Sequence, residues 1–303
     1  MKNIYIIYGT SGLIGRHLAQ KLHESNSYII GVSRNVSKTK KKLPFLNEIH
    51  SLENLSSETF KNNKNKFIFI NLSGEPLLGL WTKNKKSRVL ESRKYGVSKS
   101  IELIKKHNLL NSSILSASGI GIYKKHESKS ITEKYSETGN SFVSNMSEKL
   151  EINLKENAPK STKKINLRFG IVLSKKGGSL TYLKLIYNFF IGGKIDNGNQ
   201  WWSWVHIEDV IESIIHIINK NIEGSINITS PNPEQQKDFS KTLGKTMKRP
   251  NFIITPSIFL KPILGEFTSE IADSRKVLPQ ILLESGFNFK YKNLQKALDN
   301  ILK

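Results

Sequence analysis

Gly9, Gly12 and Gly15 stand three residues apart, directly after the apolar run 3–8 and directly before a stretch with helical spacing. In that setting, glycines at this spacing make a turn that can hold a pyrophosphate. The first glycine permits a tight turn, the second lets the backbone approach the diphosphate, and the third lets helix pack closely on strand. The helix N-terminus then offers its free N–H groups to the anion. The segment Gly9, Thr10, Ser11, Gly12, Leu13, Ile14, Gly15 is therefore the expected dinucleotide-binding turn. The plainer reading is a glycine-rich βα turn with no ligand.

The end of the second apolar run, 28–33, bears on which nucleotide would fit. An Asp or Glu there binds the ribose 2′-OH of NAD, whereas this sequence has Ser33-Arg34. A carboxylate would repel a 2′-phosphate; a hydroxyl beside a guanidinium welcomes one. NADP(H) is the expected cofactor, with Ser33 and Arg34 at its 2′-phosphate. The alternative for Arg34 is a solvated arginine at a strand end.

These residues need elements to position them. Apolar runs at 3–8, 28–33, 67–72, 114–118 and 165–173 read as buried strands. They alternate with helical stretches at 13–25, 85–106 and 142–157. One further short helix is expected at 56–62, inside the polar segment 35–65. Such alternation predicts an α/β fold, a Rossmann-type doubly wound parallel sheet. After 174 the texture changes. Gly177-Gly178 and Gly192-Gly193 bracket an apolar helix, residues 226–229 read as a strand, and helices follow from 234. The expected organisation is a dinucleotide-binding domain over 1–174, its sheet completed by segments up to about 230. A small mixed lobe over 175–303 follows, with a distinct C-terminal segment at 250–302.

The chain has 303 residues, 37% hydrophobic and 24% charged, which excludes a disordered chain. It has no cysteine, so disulfides, thiolate metal sites and cysteine nucleophiles are excluded; no metal is expected. A short N-terminal apolar run that meets glycine is not a secretory signal, and no 18-residue apolar stretch occurs. The expectation is a cytoplasmic protein without a membrane partner, monomeric or homodimeric. Forty-seven Lys and Arg against 25 Asp and Glu give a net charge of +22. The lysines lie in scattered patches without interleaved aromatics, as on a solvated surface, so a nucleic-acid partner is not expected.

At this point the sequence resembles a known group. The glycine turn, Asn71-Leu72-Ser73-Gly74-Glu75-Pro76, Trp81 with Glu91-Ser92-Arg93, and Leu167-Arg168-Phe169-Gly170-Ile171-Val172-Leu173 carry the likeness. So do Gln200-Trp201-Trp202-Ser203-Trp204-Val205-His206-Ile207-Glu208-Asp209, Pro231-Asn232-Pro233, Arg275-Lys276-Val277-Leu278-Pro279 and Gly286-Phe287-Asn288-Phe289. Together they resemble the NAD-dependent epimerase/dehydratase superfamily of extended short-chain dehydrogenases/reductases. The likeness is to its epimerase-like subfamily with a C-terminal domain of unknown function. It implies cofactor contacts from the glycine turn, Ser33 and Arg34, from Leu72 and Ser73 on the adenosine side, from Arg93, and from Val172 near the nicotinamide. Leu72 and Val172 are equally readable as plain core.

The resemblance also implies a Ser or Thr ending the fifth strand and a Tyr-x-x-x-Lys pair on the following helix, where the tyrosine moves the proton. Ser118 fits the serine. With Glu151 set against the usual helix glutamate, Val143 falls at the tyrosine position and Ser147 at the lysine position, so both groups are missing. The one Tyr-x-x-x-Lys, Tyr95 to Lys99, lies on the helix before Ser118 and is expected to be a decoy. Tyr123 could supply a phenol or pack at the cleft rim. His206 could be a general acid–base or could orient the loop before Asp209, itself a helix-start carboxylate. Trp201, Trp202 and Trp204 could line a substrate slot or a seam between lobes. The expected activity is an NADP(H)-dependent, epimerase-like oxidoreductase with an unidentified small-molecule substrate and an atypical proton donor. A silent NADP(H)-binding sensor is the alternative, and a basic nucleic-acid binder a remote one.

Overall fold

The run 4–8 is apolar at every position because both faces of its strand are covered. Tyr5 and Ile7 belong to one core layer; Ile4, Ile6 and Tyr8 belong to the other. Successive side chains leave a strand on opposite faces, so a strand buried on both sides loses polar alternation. The computed structural model describes residues 2–55, 57–60, 65–77, 79–265 and 267–303. Its first strands in chain order are β1 (Asn3–Tyr8), β2 (Tyr28–Val32), β3 (Glu48–His50), β4 (Lys66–Asn71), β5 (Ser112–Gly119), β6 (Ser130–Ile131), β7 (Lys163–Phe169) and β8 (Ile171–Leu173). Then come β9 (Gly193–Ile195), β10 (Trp201–Trp202), β11 (Trp204–His206), β12 (Gly224–Ile228), β13 (Glu234–Gln235), β14 (Ile253–Thr255) and β15 (Lys276–Val277). Seven of them form one wholly parallel sheet in the order β12-β7-β5-β4-β1-β2-β3. This is the doubly wound Rossmann arrangement. The remaining strands pair in twos: β6 with β15, β8 with β11, β9 with β14, and antiparallel β10 with β13.

Helices α1 (Leu13–Glu24) and α6 (Ile207–Asn219) cover one face of the sheet. Helix α6 buries Ile207, Val210, Ile211, Ile214, Ile217 and Ile218, a stripe at helical spacing. Helices α3 (Lys83–Lys106) and α4 (Phe142–Asn157) cover the other face. Between these lie α2 (Val36–Lys42) and α5 (Ser179–Asn188). The C-terminal part adds α7 (Gln236–Met247), α8 (Lys261–Leu264), α9 (Phe267–Ala272), α10 (Gln280–Glu284) and α11 (Leu294–Leu302). A separate core of Leu180, Tyr187, Trp202, Trp204, Phe239, Leu243 and Leu298 joins α5, α7 and α11. Trp202 and Trp204 are thus core residues of this lobe. Trp201 stacks under the Lys276 ammonium, 4.4 Å from its ring centroid.

Three expectations differ from the structure. The polar segment after β2 holds α2, which Asn35 starts by accepting a hydrogen bond from the Lys38 N–H at 2.9 Å. The helix expected over 56–62 is only a 3-10 turn at Ser57–Phe60, with 56, 61 and 62 outside the described residues. The single strand expected over 165–173 breaks at Gly170. A side chain there would meet the Ser203 carbonyl at 2.4 Å, so β7 stays in the main sheet while β8 leaves it to pair with β11.

Asp209 does not cap its own helix. It is 1% exposed, and its carboxylate accepts the N–H groups of Lys290 (2.7 Å) and Tyr291 (2.9 Å), so it ties α6 to the segment leading into α11. The cap is His206, whose Nδ1 accepts from the Glu208 N–H at 3.1 Å. Asp209→Ala leaves two amides without their acceptor. It should lower unfolding free energy by about 1–3 kcal/mol, read as a reduced urea midpoint with an unchanged slope.

Candidate functional site

At the C-terminal end of β1 the chain turns through Gly9, which has a positive φ of 77°. A Cβ on Gly9 would lie 2.8 Å from the Leu72 carbonyl oxygen and the Ser73 nitrogen. A Cβ on Gly15 would lie 2.4 Å from the Gly9 oxygen. These two glycines therefore let the turn touch the loop after β4 and let α1 sit on the turn. Gly12 is different: a Cβ there would meet only the Gly9 oxygen, at 3.0 Å, and the residue is exposed. No side chain caps α1 at Gly12. Thr10 is fully buried; its hydroxyl donates to Ile7 O (2.5 Å) and accepts from the Val32 N–H (3.1 Å). The Thr10 side chain is therefore part of the fold and not a ligand contact. Ser11 is exposed, and Leu13 and Ile14 are half-buried.

The Gly9 N–H donates to Val32 O at 3.1 Å, which sets Ser33 and Arg34 beside the turn. The Ser33 hydroxyl accepts from Thr39 Oγ1 (2.8 Å) and from the Asn35 N–H (3.3 Å), so it shapes the entry to α2. Arg34 is exposed. Across the cleft, Lys85 pairs with Glu75 at 3.2 Å, and the Lys85 ammonium, helped by the charges of Arg88 and Arg34, holds the Glu75 carboxyl below its usual range. Lys85 and Arg88, which the sequence does not single out as site residues, thus join Arg34 around one carboxylate.

Leu72 continues the β1–β4 ladder, its N–H donating to Tyr8 O. The Ser73 hydroxyl donates to Asn71 Oδ1 (2.5 Å) and Ser92 O (3.1 Å). Arg93 lies beneath this loop. Its Nη1 donates to Glu75 O (3.1 Å) and Val89 O (3.0 Å), and burial lowers its pKa to about 10, which leaves it charged at neutral pH. Gly74 is glycine because a side chain would strike that guanidinium at 3.0 Å. Val172 lies on β8 opposite Val205. Its carbonyl oxygen would lie 3.1 Å from a Cβ on Gly178, and the same Cβ would touch Leu13 at 3.0 Å. The Gly177-Gly178 turn therefore brings Val172 beside the first turn of α1.

Ser118 sits at the end of β5 opposite Arg168 of β7. Its hydroxyl donates to Glu151 Oε1 at 2.8 Å. Arg168 grips the same carboxylate through Nε (2.9 Å) and Nη2 (2.6 Å), and its Nη1 donates to the Tyr123 hydroxyl at 2.8 Å. The Tyr123 hydroxyl donates in turn to Asn227 Oδ1 at 2.7 Å. Tyr123 is 2% exposed, and burial raises its pKa despite Arg168. Its ring packs at the wall of a cavity, and its hydroxyl is held in a network with Arg168 and Asn227.

Val143 and Ser147 are both buried on α4. Tyr95 is out of reach of that place: its hydroxyl donates to Leu52 O, just past the far edge strand β3, and Lys99 pairs with Glu102. His206 is 1% exposed and lies against the Tyr291 ring at 3.8 Å between centroids. It caps α6 and is closed to substrate.

One carboxylate that the sequence reading missed stands beside Val143. A Cβ on Gly121 would meet both Val143 Cγ1 and Glu270 Oε2 at 2.8 Å. Glu270 comes from α9. Its Oε1 accepts from the Ser141 hydroxyl at 2.9 Å and its Oε2 lies 3.4 Å from Arg275 Nη1. Burial raises its pKa against the pull of Arg275. No periodicity in the sequence points to it; its place five residues before Arg275 is the only signal. Two cavities, of about 740 and 440 Å³, are lined by residues around Asp273 and around Tyr123, and neither lining includes the glycine turn.

This geometry can be set against known proteins. The family model for the NAD dependent epimerase/dehydratase family matches residues 5–229. The chain belongs to that family. A second family model, a domain of unknown function (DUF1731), matches residues 255–301, the stretch that supplies Glu270 and Arg275. Family relatives run end to end with this chain. An epimerase family protein of Staphylococcus aureus is 34% identical over 301 residues, covering 99% of both chains. One of Staphylococcus epidermidis is 33% identical over 302 residues, again 99% of both. Among solved structures, the human epimerase family protein SDR39U1, crystallised with NADPH, matches with a TM-score of 0.85 at 24% identity over 98% of both chains. A nucleoside-diphosphate sugar epimerase from Corynebacterium glutamicum matches with 0.74 at 23% identity; it covers all of this chain and 58% of that one. At these identities the structures speak to the fold the family shares.

The His206 environment carries a pH signature. Burial lowers its pKa from 6.5 to about 4. The folded state therefore prefers the neutral ring, and the stabilisation is complete above pH 6.5 and lost as pH falls toward 4. Unfolding free energy should drop by about 3 kcal/mol across that window, and His206→Gln should flatten the drop in urea titrations run at several pH values.

Proposed function

We propose that this chain binds NADP(H) on the Gly9–Gly15 turn and uses it in epimerase-like oxidoreductase chemistry on a small carbonyl or sugar-type substrate, with Glu270 in the role of the missing tyrosine. The observation that carries the reading is the glycine turn: its first helical turn is uncapped, Gly12 is open, and Arg34 stands beside it. The human relative solved with NADPH supports the choice of cofactor.

In this reading the amides of Leu13 and Ile14 hold the pyrophosphate, and Gly12 gives it room. Arg34, with Arg88 and Lys85 nearby, receives the 2′-phosphate. Ser33 shapes the turn. Leu72 and Ser73 form the wall that Gly9 packs against, held by Arg93 from below. Val172 flanks the nicotinamide side. When bound, NADP(H) supplies or accepts a hydride at its nicotinamide ring. The protein must then move one proton at the substrate oxygen. Ser118 and Tyr123 have committed their hydroxyl protons to Glu151 and Asn227. Glu270 Oε2 lies beside Val143, and burial keeps its proton to higher pH than an ordinary carboxyl.

NADPH should bind more tightly than NADH. Loss of the Arg34 contact removes about 1.5–3 kcal/mol, roughly tenfold to a hundredfold. Fluorescence titrations of both nucleotides with wild type and Arg34→Ala read this directly; equal affinities in the wild type, or an undiminished preference in the variant, would sink the assignment.

The proton donor is tested separately. A screen of carbonyl compounds and nucleotide sugars, read as NADPH consumption, supplies the substrate. Reduction needs Glu270 protonated, so the rate should fall as pH rises through its raised pKa, whose neighbours Arg275 and Asp273 pull in opposite directions. Glu270→Gln should lower turnover by about 10²–10⁴-fold and abolish that limb of the pH profile, while NADPH affinity stays within about threefold. An unaltered pH profile in the variant assigns the proton elsewhere.

A further inference from the structure

Helix α5 buries Leu180 and Tyr187 but is apolar on its outer face as well. Tyr182, Leu185, Ile186 and Phe189 lie at helical spacing on one stripe, and all four are exposed. Past the helix end Arg249 covers the Phe190 ring at 5.0 Å, and apolar side chains are exposed again at β14, which pairs with β9. Phe252 and Ile254, two residues apart on one side of the extended chain, are exposed, Phe252 by 77%. Phe259 follows, 69% exposed, at the turn before α8. Ten large apolar side chains between Tyr182 and Phe259 are exposed. Together they leave on the order of 1,000 Å² of apolar residues uncovered, a large exposure for two short segments of one lobe.

Charge selects the occupant. Segments 175–195 and 248–262, which carry this face, hold seven Lys and Arg and no Asp or Glu. Asp196 borders them, with Oδ1 accepting the Ser257 N–H. A second copy would bring the same cations against these, at a chain charge of +22. An apolar stripe with a basic rim instead matches acyl chains beneath anionic headgroups.

We propose that the face formed by α5, β14 and the turn around Phe259 docks this protein on the surface of an anionic lipid bilayer, without crossing it. This departs from the expected absence of a membrane partner, which rested on the short apolar runs and on reading the lysines as a solvated surface. It is independent of the cofactor reading.

The test is co-sedimentation of the full-length protein with phosphatidylcholine vesicles, with and without about one-third phosphatidylglycerol. The protein should partition onto the anionic vesicles and come off at high salt. The double variant Phe189→Ser/Phe259→Ser, with unchanged circular dichroism, should lose about tenfold or more in partition. Ile254→Ser is the second variant, should the first misfold, with a smaller loss in the same direction. Lys40→Glu/Lys41→Glu on the remote α2 should change partition by less than about threefold. No partition of wild type onto anionic vesicles overturns the proposal. So does equal partition of wild type and the aromatic variants, which would make it net charge alone. A wild-type dimer in sedimentation velocity that the aromatic variant dissolves, with no vesicle binding, assigns the face to a second copy instead.

Discussion

The carbonyl oxygen of Gly9 leaves no room for a side chain at residue 15, and the cleft follows from that. Because Gly15 has no Cβ, α1 begins directly over the end of β1, and its first amides face the place where a diphosphate would sit. The same economy of volume repeats around the rim. Gly9 lets the Leu72-Ser73 loop close against the turn, Gly74 leaves space for the Arg93 guanidinium, and Gly178 lets the chain after β8 reach Leu13. At Gly9 and Gly15 the contact is backbone against backbone, so no rotamer change can relieve it.

Beneath the cleft, a different constraint holds the sheet. Arg168 and Glu151 are about one-tenth exposed, and their pair is completed by Ser118, Tyr123 and Ser225. These groups come from β5, β7, β12, α4 and the turn after β5. Leaving either charge alone there would cost about 3–5 kcal/mol, so the pair fixes how the right half of the sheet meets α4. That commitment also explains why Ser118, which has the position of a catalytic serine, has its hydroxyl turned to Glu151.

The sequence made the first half legible because its signals are local. A strand buried on both faces shows as an unbroken apolar run, and the glycine turn declares itself by spacing. Short elements were less legible. Helix α2 is a lysine run with one buried residue, Thr39, and is marked mainly by its Asn35 cap. The break at Gly170 depends on Ser203, far along the chain, so no window around 165–173 contains its cause. His206 and Asp209 were recognised as residues of a helix start, but their partners, Tyr291 and the Lys290 amide, lie some eighty residues on. Glu270 was missed for the same reason: its neighbour Val143 is brought to it by the fold.

The proposed exchange of a tyrosine for Glu270 also accounts for Ser147. A phenol titrates near 10 and needs a nearby cation to bring it toward neutrality, whereas a carboxyl titrates near 4 and needs the opposite. A carboxyl donor in this reading needs no lysine at 147, and at Glu270 burial dominates and the carboxyl rises. The remaining cation, Arg275, is shared: its Nη2 donates to Asp273 at 3.0 Å and its Nε to the Tyr123 carbonyl at 2.8 Å, with Glu270 at the longer 3.4 Å. Asp273 thus takes up charge that would otherwise fall on Glu270. In this proposed reading the proton donor stands on the C-terminal segment instead of α4, and a buried carboxyl replaces the phenol–lysine pair that Val143 and Ser147 lack.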